Sequence, residues 1–362
     1  MGFDYSGRIR RLQTSMTDRG VDVALLSVGA DLPYFIGYEA MQSERLTVLV
    51  VRPEHEPVLF VPDLEAPRVD PGEFEAICWA ETDDPVGLAS DVAGSPSTVA
   101  VGNHMWATFL VGFQQRWPQA TWMSASALTS ELRMRKEPAE IELLRRAGNG
   151  VDRVMSRIPD EVRFDGRTEL EVSRQLSEMT IEEGHDMAAF AIVASGPNGA
   201  SPHHGAADRV ISQGDLVVCD YGGRVGGYYS DSTRTFSVGE PSDHQIEVHG
   251  VVLAANEAGR ASISPGVACE DIDRAARRVI DEAGYGESFI HRTGHGIGLE
   301  VHEHPYIVEG NQRVLEPGMT FSVEPGIYLS ERFGVRIEDI VAVTQKGEDP
   351  LNTSARVLQV VD

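Results

Sequence analysis

Asp220 and Asp231 flank the run Gly222-Gly223-Arg224-Val225-Gly226-Gly227, between the stretches LVVCDY and YYSDSTRTF, which both read as strands. Glycine relieves the steric cost of turn dihedrals, so the chain must reverse there. The two aspartates are equidistant from the Val225-Gly226 bond inside this run, and a simple hairpin centred there would set them opposite each other. Glu324 in FSVEPGIYL and Glu338 in VRIEDIVAV are likewise equidistant from Glu331, inside the polar turn Ser330-Glu331-Arg332-Phe333-Gly334. Directly opposed residues of an antiparallel pair have Cβ atoms about 4.5–5.5 Å apart. Two carboxylates at that spacing repel, and burial adds desolvation. A shared proton or a bound cation removes the penalty. Two such pairs in apolar strands favour cations. His295 lies between them in the loop Thr293-Gly294-His295-Gly296-Ile297-Gly298, whose glycines let backbone pack close and leave the imidazole accessible. Four carboxylates and one imidazole make an oxygen-rich site suited to a pair of Mn²⁺, Fe²⁺, Co²⁺ or Zn²⁺ ions, while the histidine makes Mg²⁺ or Ca²⁺ less natural.

The elements that must position these residues read as follows. Residues 1–132 alternate a helix over 6–19 with strands around 21–28, 45–52, 57–62 and 97–102, an α/β domain without a catalytic constellation. Residues 133–362 form a second, α+β domain. A helix from Lys136 to Ile158 opens it, with Pro138 in the first turn and Ile141, Leu144, Val151, Met155 and Ile158 near helical spacing. Thr168 and Glu171 make a capping box for the next helix. Further helices are expected at 244–261 and 269–284, and strands at 189–194, 215–221, 228–237, 319–329 and 334–344.

Composition narrows the function classes. The 362 residues allow two domains, and a 41% apolar content is ordinary for a globular protein. A net charge of -25 argues against a nucleic-acid groove, which needs a basic stripe, and against a polybasic membrane contact. Three scattered cysteines, 78, 219 and 269, give no disulfide framework and fit a reducing cytoplasm. No signal peptide and no apolar run of membrane-spanning length is visible. His302-Glu303-His304-Pro305 is not HExxH, no G-x-S-x-G occurs, and Gly294, Gly296 and Gly298 do not complete a dinucleotide fingerprint.

At VVCDYGG, SDSTRTF, TGHGIG, SVEPGIY and RIEDI the sequence resembles the pita-bread metallopeptidases, the family of methionine aminopeptidase, aminopeptidase P and prolidase. The match covers roughly 138–362, and the order Asp, Asp, His, Glu, Glu is complete. The resemblance implies two divalent ions, manganese first, with Asp231 and Glu338 bridging them. Asp220 would hold one ion, His295 and Glu324 the other. It also implies catalytic roles for His203 and His302, and for His291 and Arg336 as in the prolidase and aminopeptidase P branch. His204 is read as a structural neighbour. A metal-bridging hydroxide would attack the scissile carbonyl, with His203 stabilising the oxygen and Glu324 moving protons.

The leading domain looks like the creatinase/prolidase type, including the Leu32–Tyr38 stretch, and leans the reading toward the bond before proline. The expectation is therefore an Xaa-Pro dipeptidase or aminopeptidase acting on proline-containing peptides, a homodimer by analogy with relatives. The alternatives are a metal-dependent hydrolase or lyase of the same fold with a non-peptide substrate, and a non-catalytic binding protein.

Overall fold

The runs VALLS, VLVV and VLFVP are buried on both faces and form the centre of the first of two units, residues up to Arg133 and Met134–Asp362. The computed structural model describes residues 2–70, 72 and 74–362. In the first unit those runs are β1 (Val23–Ser27), β2 (Val48–Val51) and β3 (Val58–Pro62), joined by β4 (Glu75–Trp79), β5 (Thr98–Val101) and β6 (Thr121–Ser124). The sheet order is β4-β3-β2-β1-β5-β6, with β2 antiparallel to both neighbours and the other pairs parallel. The outermost strands, β4 and β6, are the two that the sequence reading missed. Their EAICW and TWMS segments are only partly buried, and each partly exposes both polar and apolar side chains. The helices are α1 (Tyr5–Arg19), α2 (Asp31–Ile36), α3 (Pro85–Ala93), α4 (Ala107–Arg116) and α5 (Ser126–Arg133). α1 starts where the Asp4 side chain accepts from Gly7 N–H at 2.8 Å and buries Ile9, Leu12 and Met16 along one face. Among the described residues of this unit no group of histidine, cysteine and acidic side chains has metal-ligand spacing.

The second unit opens with α6 (Pro138–Glu161), where the Glu140 carboxylate accepts from Glu137 N–H at 2.8 Å. α7 (Glu169–Glu182) follows from Thr168, whose hydroxyl and Glu171 complete the capping box. Next come β7 (Met187–Ser195), β8 (Leu216–Val225), β9 (Tyr228–Tyr229), β10 (Ser232–Val238), α8 (Asp243–Ala261) and α9 (Cys269–Glu282). The chain ends with β11 (Gly294–Gly296), β12 (Glu303–Ile307), β13 (Thr320–Val323), β14 (Gly326–Leu329), β15 (Phe333–Arg336), β16 (Asp339–Thr344), β17 (Gly347–Pro350) and β18 (Gln359–Val361). One sheet runs β18-β10-β8-β7, a second β12-β11-β13-β16-β17, and β14 and β15 form a ribbon. α6 and α7 bury Val151, Val154, Val172 and Leu176 against Val193, Cys219 and Phe236 of the first sheet. α9 packs Cys269 and Ile272 against Phe321, Val323 and Val341 of the second.

The first hairpin departs from the symmetric pairing expected of it. Asp220 lies opposite Thr233, and Arg224 opposite Tyr229. The turn is therefore centred on Gly226-Gly227, both with positive φ, 55° and 91°, as a two-residue hairpin turn demands. Asp231 is thereby displaced along its strand to a diagonal position on the same face as Asp220. The second hairpin keeps its expected register, with Gly326 opposite Arg336 and Leu329 opposite Phe333 across Glu331. Three expected strands are interrupted, and in each case a candidate ligand stands at the break: Asp231, Glu324 and Glu338. At two of these breaks the backbone N–H takes a partner from a third strand or loop. Glu324 N–H donates to Thr293 O at 2.8 Å and Glu338 N–H to Thr233 O at 3.1 Å. Pro325, without an N–H, cannot continue the ladder.

Candidate metal centre

The two sheets of the second unit deliver their carboxylates to one place. Asp220 projects from β8, Asp231 from the entrance of β10, His295 from β11, Glu324 from the end of β13 and Glu338 from the approach to β16. One ligand atom from each of Asp220, Asp231 and Glu338 lies within 4.8 Å of the others, and the same holds for His295, Glu324 and Glu338. Glu338 is thus common to two adjacent sets. His295 Nε2 is 3.3 Å from Glu324 Oε1 and 3.7 Å from Asp231 Oδ2. The glycines around His295 are required by close approach. A Cβ on Gly294 would sit 1.9 Å from Ser322 O, and one on Gly296 2.2 Å from His304 O.

The electrostatics ask for positive charge. Asp231 and Glu338 are 4% and 1% exposed, and burial, followed by the neighbouring carboxylates, lifts both well above the ordinary carboxylate range. Burial also raises Glu324 to about 7, although Arg336 pulls the other way. Burial, aided by His302, pushes His295 down to about 3, so its ring is neutral. Its Nδ1 faces Gly296 O at 3.2 Å, which places the proton on Nδ1 and leaves Nε2 as a lone-pair atom aimed at carboxylate oxygens. Acceptor facing acceptor is repulsive unless a proton or cation lies between them. Asp220 Oδ1, Asp231 Oδ1 and Glu338 Oε1 are also buried and accept no hydrogen bond among the described residues. Buried carboxylate oxygens without donors are rare in proteins. Several in one cluster beside a neutral imidazole match the mixed oxygen and nitrogen donor set that divalent transition cations take.

The remaining expected residues surround this cluster in a cavity of about 470 Å³. His203 and His302 line it, together with the apolar side chains of Phe190 and Ile192. The His302 ring centroid is 3.9 Å from that of His295, and a His302 ring nitrogen lies close enough to Asp231 and His295 to join them at a metal. Arg336 Nη2 donates to Asp220 Oδ2 at 2.6 Å. Its Nη1 donates to the Tyr328 hydroxyl at 3.0 Å, which lies 2.8 Å from His291 Nε2. His291 Nδ1 is 2.7 Å from Arg292 O, so both its ring nitrogens are engaged within the protein.

Sequence reasoning had assigned no role to Tyr328 or to Thr233, whose hydroxyl donates to Glu338 Oε2 at 2.7 Å and accepts from Arg336 Nε at 3.1 Å. Both stand inside quoted motifs, SDSTRTF and SVEPGIY, so position in the motif was the available signal. Arg292, over the Tyr306 ring at 4.3 Å and also lining the cavity, was missed too.

Among the described residues no helix is long and apolar enough to cross a membrane. The sequence model of metallopeptidase family M24 matches residues 142–345, and that of the creatinase/prolidase N-terminal domain matches residues 8–135. A probable dipeptidase PepE of Mycobacterium tuberculosis is 44% identical, over 99% of this chain and 96% of its own. An Xaa-Pro dipeptidase of Lactobacillus helveticus is 35% identical, over 97% of this chain and 98% of its own. The crystal structure of a prolidase from Thermococcus sibiricus superposes with a TM-score of 0.96 at 35% identity, each chain covered completely. With its five candidate ligands inside the matched segment and its likeness to these peptidases running end to end, the chain belongs to metallopeptidase family M24 and is a hydrolase with a creatinase-type N-terminal domain.

Proposed function

We propose that the protein hydrolyses the Xaa-Pro bond of dipeptides or peptide N-termini, using two divalent cations held by Asp220, Asp231, His295, Glu324 and Glu338. The observation that carries the metal reading is one buried cluster in which Asp220, Asp231 and Glu338 each keep a carboxylate oxygen without a hydrogen-bond donor, beside a neutral His295 whose Nε2 lies 3.3 Å from Glu324 Oε1. The proline preference is drawn from relatives that carry the names Xaa-Pro dipeptidase and prolidase. An oxygen-rich set with one imidazole suits manganese, with cobalt, zinc or iron as alternatives. Bound there, two cations would polarise the scissile carbonyl and acidify a water.

The chain's own residues would do the rest. Glu324, whose Oε1 lies 3.3 Å from His295 Nε2, is the residue placed to accept a proton from the attacking water and return it to the departing proline nitrogen. His203, an exposed residue at the cavity, is the donor to the carbonyl oxygen as charge develops. His302, beside His295, supports the reacting carbonyl. His291 acts through Tyr328, which together with Thr233 fixes Arg336 against Asp220. Phe190 and Ile192 offer an apolar surface for the proline ring. The three cysteines are free, which fits the cytoplasm, and the reading includes a homodimer, checked by sedimentation.

The test is an assay of the metal-reconstituted protein on Xaa-Pro dipeptides, longer Xaa-Pro peptides and Met-initiated peptides without proline. Cleavage before proline is expected. Activity confined to the Met-initiated peptides, or to no peptide at all, sinks the proposal and favours a non-peptide substrate.

A further inference from the structure

Glu169, in the first turn of α7, is fully buried and touches none of the candidate ligands. Its Oε1 accepts from Ser195 N–H and from the Ser195 hydroxyl, each at 2.7 Å, and from Asn198 Nδ2 at 3.0 Å. Its Oε2 accepts from Asn198 Nδ2 at 3.1 Å, His204 Nε2 at 3.0 Å and Ala207 N–H at 3.2 Å. Beside it, Leu170 N–H donates to Ala207 O at 3.1 Å and Glu169 N–H to Arg209 O at 3.1 Å. Arg209 closes the arrangement, donating to the Ser195 hydroxyl at 2.6 Å while paired with Asp215 at 2.7 Å.

Every donor to the Glu169 carboxylate lies between Ser195 and Ala207, the segment that carries Pro202-His203. A buried carboxylate is tolerated because donors surround it, and here the donors come from both ends and the middle of one loop. The loop is therefore tied to α7 at Ser195, Asn198, His204 and Ala207, and His203 is left to project into the cavity from between the ties. His204, which the sequence offered as a bystander, supplies the tie next to His203.

We infer that Glu169 is a positioning residue for His203, acting through His204 and the 195–207 loop. The inference rests on the peptidase reading above for the role of His203, but the anchoring itself does not. Gln at 169 keeps the shape and replaces one acceptor oxygen with a donor amide. Ala207 N–H or the His204 ring then faces an N–H₂ group, and the loop loses its fixed position.

The experiment is a double-mutant cycle on metal-loaded protein, with kcat and KM for an Xaa-Pro dipeptide, metal content, and amide exchange over 195–207 measured on each preparation. Glu169→Gln should lower kcat on the order of ten- to a hundredfold, the scale of displacing a catalytic group by about 1 Å, with both ions retained. In a His203→Ala background the same change should cost less than about twofold, because the group it positions is already gone. Exchange across 195–207 should quicken. His204→Leu should behave like Glu169→Gln, while His204→Gln, which keeps a donor of similar reach, should restore most of kcat. The inference is overturned if Glu169→Gln costs the same with and without His203, or if loop exchange is unchanged. If wild type cleaves no Xaa-Pro bond, the peptidase reading falls instead, and the exchange comparison alone decides whether Glu169 holds the loop.

Discussion

Arg336 donates from Nη2 to Asp220 Oδ2 at 2.6 Å, and both side chains are buried beside Glu324 and Glu338. The guanidinium offsets part of a charge that three acidic neighbours would otherwise concentrate. Breaking a buried pair by removing one partner typically costs about 3–5 kcal/mol. Arg336→Met in metal-free protein should lose stability on that scale at pH 8 and distinctly less at pH 5, where Glu324 and Glu338 are protonated. Denaturant titrations at the two pH values measure it, and an equal loss at both would mean that Arg336 acts through packing.

The raised carboxylates should make metal binding a proton-releasing event. Glu324 titrates at about 7, and Asp231 and Glu338 lie well above their ordinary values. A carboxyl raised in the folded state favours folding below its unfolded pKa, and that contribution is lost as pH rises through the folded value. Metal-free protein should therefore lose this part of its stability between about pH 5 and 8, whereas the cations reverse the loss by pairing with the ionised groups. The metal-induced rise in Tm should grow with pH over that window. Calorimetry in buffers of different ionisation enthalpy should record proton release; an increment that is flat with pH counts against the assigned ligands.

His203 and His295 should separate cleanly. His203→Ala should keep both ions and lose on the order of a hundredfold or more in turnover, the effect of removing one donor to a developing oxyanion. His295→Ala should shed metal along with activity. Kinetics and metal analysis on the same folded preparations decide the matter, and equal metal loss from both variants would erase the distinction between ligand and catalytic histidine.

The candidate ligands were more legible in the sequence than the geometry that gathers them. Asp220, Asp231, His295, Glu324 and Glu338 stand in order within five local motifs, and the Glu324–Glu338 register followed from the turn at Glu331. The first hairpin did not follow, because four glycines in GGRVGG allow more than one turn and only the Gly226-Gly227 placement satisfies both positive φ values. β4 and β6 escaped because they are short edge strands, only partly buried and without the β-branched runs of the central strands. Nothing in the sequence singles out Glu169, since its partners lie between Ser195 and Ala207 and only folding brings them to it.

The most direct test of the two-cation account is a manganese titration of chelator-stripped protein, reading cleavage of an Xaa-Pro dipeptide alongside bound metal. Activity should be absent at the start, should return on addition of manganese, and should level off near two bound ions per chain. Asp231→Ala should never reach that plateau. Cleavage that survives complete metal removal, or an Asp231→Ala variant that binds two ions and works as well as wild type, would contradict the account.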